Sequence, residues 1–265
     1  MQAPIAFYRE QGTGPGVVCL HSNASSSSQW RGLMELLAPS FRVIAADSYG
    51  AGKSPAWPVG RTLVLRDEVD LLEPAFAAAG DPFVLVGHSY GAGIALRAAV
   101  TQPQRVRALA LYEPTLFALV DAQRPPPNDA DGIKAAVARA GEALDRGDED
   151  AAARHFIDFW MGEGAWAATP EARKPPIAAA VRNVRGWAHA LVNEPTPLAH
   201  LAELDIPVLL MTGSRSPASG PAPARLLRGA LRRCEWVAFD GLGHMGPITH
   251  PEPVNGAIAA FLARL

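Results

Sequence analysis

Residues 83–93 read FVLVGHSYGAG, and their order decides the fold. An apolar run of strand length leads straight into Gly87-His88-Ser89-Tyr90-Gly91, and a helical pattern follows over 90–101. A G-x-S-x-G pattern set between a buried strand and a helix predicts a sharp turn that carries a nucleophile. Crowding explains the glycines: residues two before and two after the serine must lack bulk for the turn to close. The turn lifts the Ser89 hydroxyl above the sheet and beside a helix N-terminus. The backbone N–H of Tyr90 then points to where an oxyanion develops. The blander alternative for the same residues is a glycine-rich structural turn.

Short apolar runs flank this stretch on both sides: VVCLH at 17–21, FRVIAAD at 41–47, VRALALY at 106–112, PVLLMTG at 207–213 and CEWVAF at 234–239. Continuous runs of this length suit strands buried on both faces. Helical patterns over 28–38, 61–79, 90–101, 221–231 and 252–264 alternate with them, which predicts an α/β fold built from βαβ units. The alternation breaks between 114 and 205. PTLFALVDAQRPPPNDADG is a proline-rich connection without a clear period. Ile133, Val137, Ala140 and Leu144 then repeat at helical spacing, DEDAAARHFIDFWM carries acids in its first turn, and IAAAVRNVRGWAHALV is a third helical segment. The expected organisation is a core of residues 1–113 and 206–265 with a helical cap inserted at 114–205, its edges marked by Pro125–Pro127 and Pro195–Pro197.

The bulk numbers set limits. The 265 residues fit one large domain or a core with an insertion. With 24 basic against 26 acidic residues, the net charge of −2 gives no general pull toward nucleic acid or an acidic membrane. Cys19 and Cys234 sit in strand-like runs, so free buried thiols and a reducing compartment are expected. The start MQAPIAFYREQG lacks a basic stretch followed by an apolar one, and no run of about 18 apolar residues occurs. The expectation is a cytoplasmic protein that neither enters a secretory route nor spans a membrane. GAGKS at 50–54 lacks the glycine spacing of a phosphate-binding loop. No Cys/His cluster has metal-ligand spacing, so neither metal nor organic cofactor is called for. Oligomeric state is not legible.

With the elbow in place, nearly the whole chain resembles the α/β-hydrolase superfamily. LHSNASSSSQW at 20–30 is similar to that family's His-Gly-x loop, DSYGAGKS at 47–54 to its D-x-x-G-x-G-x-S turn, and GLGHMGPITHPE at 241–252 to the loop bearing its catalytic histidine. The resemblance implies an eight-stranded, mostly parallel sheet flanked by helices, with the site at the strands' carboxyl ends beneath the cap. It implies Ser89 as nucleophile, His244 as base, and backbone N–H groups of Tyr90 and Asn23 as the oxyanion hole. Two departures stand out. Ser22 replaces the glycine of the His-Gly-x loop, and Asn23 could lend its side-chain amide. Asparagine at this place also resembles haloalkane dehalogenases, but these use a carboxylate nucleophile, and Ser89 argues against that chemistry.

The other departure concerns the acid that orients the histidine. LLMTGSRSP at 209–217 ends a strand at Gly213, and the family often places its acid three residues further on. Here that residue is Ser216, which is neutral. Glu113, in LALYEP at 109–114, ends the strand after the nucleophile helix and preserves the order Ser, acid, His. A glutamate ending a buried strand is costly unless paired, and a histidine partner supplies a reason for it. Asp240, four residues before His244, is the alternative; Asp47 belongs to its glycine turn. Of the other histidines, His88 is expected below the elbow, His21 in a structural hydrogen bond and His250 at the start of the last helix. His155, His189 and His200 lie in the insertion.

These residues predict acyl transfer on a small carboxylic ester or related acyl compound, without a cofactor. Carbon–carbon bond hydrolysis, lactone hydrolysis and perhydrolysis can run on the same three groups. A catalytically silent ligand-binding receptor is the rival of another class, motivated by Ser22 and Ser216. Phe117, Phe159, Trp160 and Trp187 in the insertion are the candidates for contact with an apolar substrate group, against the plainer role of packing between cap helices.

Overall fold

Alternate residues of each central strand feed two separate cores, and this makes the sheet the middle of three layers. The computed structural model describes residues 4–265. Its strands are β1 (Tyr8–Gln11), β2 (Gly16–Leu20), β3 (Arg42–Ala46), β4 (Phe83–His88), β5 (Val106–Tyr112), β6 (Val208–Gly213) and β7 (Cys234–Phe239). They form one seven-stranded sheet in the order β1-β3-β2-β4-β5-β6-β7. Only β1 runs antiparallel to its neighbour. Val18, Leu20, Ile44, Leu85, Leu109 and Leu210 face a core shared with helices Leu65–Ala79 and Tyr90–Thr101. Their neighbours Val17, Cys19, Val43, Val84, Ala108 and Leu209 face a second core closed by helices Arg31–Leu37 and Pro251–Leu262. Period-2 alternation into two apolar layers is the physical content of an apolar run on a parallel strand.

The sheet departs from expectation at its edges. Seven strands are present among the described residues rather than eight. β1 reads YREQ and is half-buried to exposed, so it offers no apolar run to detect. β7 is an edge strand, half-buried to exposed along its length, and its Cys234 is accordingly half-buried rather than buried like Cys19. The stretch read as a proline-rich connection without a clear period contains helix Phe117–Gln123, which buries Phe117, Leu119 and Val120.

Between β5 and β6 the described chain is helical. Helix Asp131–Asp145 carries the Ile133 and Val137 stripe, and helix Glu149–Met161 starts where Asp148 accepts a hydrogen bond from the Ala151 N–H. The segment expected as one helix over 177–192 is two, Lys174–Val181 and Val184–Val192, broken at Arg182 and Asn183. No helix among the described residues is long and apolar enough to cross a membrane.

Candidate active site

The parallel pairing of β4 with β5 sets the site. His88 is in register with Tyr112, so the next residues, Ser89 and Glu113, leave adjacent strands side by side. The Ser89 N–H bonds to the Tyr112 carbonyl at 2.9 Å and the Glu113 N–H to the Met211 carbonyl at 2.9 Å. Both residues hold positive φ, 56° for Ser89 and 43° for Glu113. Such backbone costs about 1–3 kcal/mol per residue and persists only where its surroundings enforce it. The enforcement is steric. A Cβ on Gly91 would lie 2.3 Å from the Leu20 carbonyl oxygen, and one on Gly87 would lie 2.5 Å from the Ala92 Cα. The turn closes because those two positions have no side chain.

Three side chains meet above the turn. Ser89 Oγ lies 2.9 Å from His244 Nε2, and His244 Nδ1 lies 2.6 Å from Glu113 Oε2. With the proton placed on Nδ1, the imidazole donates to Glu113 and accepts from Ser89. Glu113 is fully buried, a costly position for a carboxylate unless its oxygens are satisfied. Its Oε1 accepts from the Gly213 N–H at 2.9 Å and from Ser216 Oγ at 2.6 Å. Gly220 leaves room for it, since a Cβ there would stand 2.4 Å from Oε2. Ser216 thus sits beside Glu113 and donates to it. Asp240 bonds Ser214 Oγ at the exposed surface and is not a partner of His244.

The other loops are tied to this line through neutral groups. The Ser22 N–H and hydroxyl both donate to Gln29 Oε1 at 3.2 Å. Gln29 Nε2 donates to His88 Nδ1 at 3.1 Å, and His88 Nε2 donates to the His244 carbonyl at 2.8 Å. Burial holds His88 well below its ordinary pKa, and the neighbouring His244 adds to this. A neutral ring with one donor and one acceptor is what the chain of bonds requires. His88 is fully buried, its ring 5.3 Å from that of His244 and 5.6 Å from that of Tyr112, and it holds the histidine loop through its bond to the His244 carbonyl. His21 donates to the Ser22 carbonyl and accepts from the Ser48 N–H, and Asp47 binds the N–H groups of Ser27 and Lys53. His250 stands at the N-cap position of helix Pro251–Leu262 without a side-chain capping bond; its Nδ1 pairs with Thr249 Oγ1 at 2.9 Å.

The Tyr90 and Asn23 N–H groups have no acceptor among the described residues. Tyr90 opens its helix, where the first N–H groups lack intrahelical partners. Its buried hydroxyl donates to Glu68 Oε1 at 3.0 Å, while Glu68 Oε2 accepts from the Tyr49 N–H at 3.1 Å. Glu68 is fully buried and has no ion-pair partner among the described residues, and burial pushes its pKa up to about 7 against the two hydrogen bonds. Its place was visible as a charged residue on the Leu65, Val69 and Leu72 face of its helix.

Trp160 covers the imidazole, its ring stacked on His244 at 3.8 Å between centroids. Two chambers open from Ser89. Phe117 and Trp187 line the inner one, and Trp160 lines both. Phe159 does not: it stands edge-on behind Trp160 and lines a separate outer groove. Ile133, Val137, Phe156 and Leu191 also line the inner wall, which is mostly apolar but includes Thr115 and Lys134; the helical spacing of Ile133 and Val137 was legible, but not the side of the helix that faces the serine. No group of three or more His, Cys, Asp or Glu placed to hold a metal ion occurs among the described residues.

Comparison with known proteins agrees with this architecture. The profile of the alpha/beta hydrolase fold matches residues 15–251, and the chain belongs to that family. A haloalkane dehalogenase of Sphingobium indicum is 29% identical, covering 97% of this chain and 92% of the relative. The (E)-2-((N-methylformamido)methylene)succinate hydrolase of Acinetobacter baylyi is 25% identical over 97% of this chain and 94% of its own. Among solved structures, an alpha/beta hydrolase from Sphaerobacter thermophilus superposes with a TM-score of 0.74 at 27% identity, covering 97% of this chain and 96% of that one.

Proposed function

We propose that the chain is a serine hydrolase that cleaves a small carboxylic ester or related acyl compound through an acyl-enzyme. The observation that carries this is the unbroken line from Ser89 Oγ through His244 to Glu113 Oε2, with contacts of 2.9 and 2.6 Å. Ser89 attacks the carbonyl carbon as its proton passes to His244 Nε2. Glu113 holds the imidazole tautomer and stabilises the imidazolium. The Tyr90 and Asn23 N–H groups receive the oxyanion. His244 then gives its proton to the leaving oxygen, and the alcohol departs. Water attacks the acyl-enzyme, with His244 as base, and the acid and free Ser89 are released. The helices over 114–205 serve as the cap that shields these steps from solvent.

The likeness to dehalogenases does not extend to their reaction. Displacement of a halide by the Ser89 oxygen would leave an ether, and water has no carbonyl carbon to attack in it. A second reading, hydrolysis of an acyl compound other than an ester, draws support from the similar succinate hydrolase; the same three groups would serve it.

A fluorophosphonate tests the proposal, with intact mass followed over time. Rapid addition of one probe at Ser89, much slower in Glu113→Gln, is the expected result. Equal rates in both would remove Glu113 from the reaction, and an unlabelled wild type would favour a silent receptor.

A further inference from the structure

The two chambers at Ser89 differ in size and in one resident. The inner chamber, walled by Phe117, Ile133, Val137, Trp187 and Leu191, has a volume of about 30 Å³. The outer chamber, which runs past Ile157 and Ile248 to Arg173, has about 460 Å³. Ser89, Asn23, Phe156 and Trp160 border both, but His244 borders only the outer one.

An acyl compound has two substituents on its reacting carbon, and catalysis decides which goes where. The leaving oxygen must meet the proton that His244 Nε2 carries. It therefore lies on the side His244 borders. The other substituent, the acyl chain, is turned the other way.

Resting on the hydrolase reading above, we propose that the inner chamber is the acyl site and the outer chamber the leaving-group site. The protein is then selective for short apolar acyl groups joined to a much larger alcohol. With about 30 Å³ against about 460 Å³, the inner space admits a short acyl chain where the outer one admits a much larger group.

The limit is sharp because the wall is packed. Phe117, Ile133, Trp187 and Leu191 are all buried, and the wall draws on four helices, Phe117–Gln123, Asp131–Asp145, Glu149–Met161 and Val184–Val192. One more methylene gains about fourfold in binding where space exists. Where it must force packed side chains apart it loses roughly five- to a hundredfold.

Two ester series read the assignment directly. Among p-nitrophenyl esters from acetate to octanoate, kcat/KM is expected to be highest at the short-chain end and to fall at least about tenfold by hexanoate. Among acetates of primary alcohols from ethanol to decanol, whose intrinsic reactivity is alike, no such fall is expected. Leu191→Ala, which enlarges only the inner wall, is expected to raise the hexanoate-to-butyrate ratio about tenfold; Val137→Ala serves the same purpose if the first variant does not fold. Octanoate turned over as well as butyrate, a penalty that follows the alcohol instead of the acyl chain, or unchanged ratios in both variants would overturn the assignment. Fluorophosphonate labelling of the same preparations separates the two levels. A labelled protein with a flat acyl profile loses only the chamber assignment, whereas an unlabelled one loses the hydrolase reading with it.

Discussion

The carboxyl ends of β4, β5 and β6 and the helices that lie over them hold their parts by different means. At the strand ends, backbone does the holding. Ser89 and Glu113 are fixed by positive φ, by ladder hydrogen bonds and by glycines that admit other backbone or side-chain atoms within 2.5 Å of where a Cβ would stand. In the overlying helices, side chains do it: Phe156 against Trp187, and Phe159 edge-on to Trp160. Their ion pairs Arg182–Glu149 and Arg185–Asp145 join side chains that are largely exposed, where solvent screening leaves such pairs little to contribute. On the proposed reading, the first region decides whether the reaction occurs, and the second decides what enters. Substitutions should divide along the same line.

The largest expected effect is at the strand ends. Glu113→Gln keeps the shape but removes the charge that supports the imidazolium, and kcat should fall by about 10³–10⁴-fold with an unchanged circular dichroism spectrum. Turnover near wild type would break the contrast. Gly91→Ala places a methyl against the Leu20 carbonyl, and a loss of about 3 kcal/mol or more in denaturant unfolding is expected, well beyond that of any single alanine change in the exposed ion pairs. Gln29→Ala cuts the link between Ser22 and His88. It removes none of the three reacting side chains but loosens the hold on the loop that carries His244, so kcat should drop about tenfold.

The smallest effect concerns pH. Glu68 has its folded pKa raised to about 7 by burial. The folded state therefore keeps a proton that the unfolded state gives up at lower pH. Stability from this group is full below the unfolded carboxyl range and is lost as pH rises toward and through about 7. Thermal melts between pH 5 and 8 should show wild type losing more stability with rising pH than Glu68→Gln does. Parallel pH profiles for the two proteins would show that Glu68 does not titrate there.

Strands with apolar runs were legible because two-sided burial leaves a mark on every residue. β1 left none, being a polar edge strand, and β7 carried an apolar run because Trp236 packs toward one core and Val237 and Phe239 toward the other, although it too is an edge strand. The elbow was legible because steric closure demands glycine at two fixed spacings. Glu113 could be chosen as the candidate acid from the cost of ending a buried strand in a carboxylate. That Ser216 and the Gly213 N–H would satisfy it was not visible, because both arrive from a strand a hundred residues later. The chamber walls escaped for a related reason. Helical spacing shows that Ile133 and Val137 share a face, but only packing shows that this face looks toward Ser89.

The 2.6 Å contact between Ser216 Oγ and Glu113 Oε1 has an evolutionary consequence. The carboxylate that faces His244 Nδ1 is touched by a residue from the end of a second strand, so on the proposed reading the negative charge belongs to a location rather than to a residue. A lineage could move it from one strand to the next through an intermediate that carries both groups, without ever losing the reaction. Exchanging the pair in the laboratory, Glu113→Ser together with Ser216→Asp, retraces that path. The double variant should recover much of the turnover that Glu113→Ser alone forfeits.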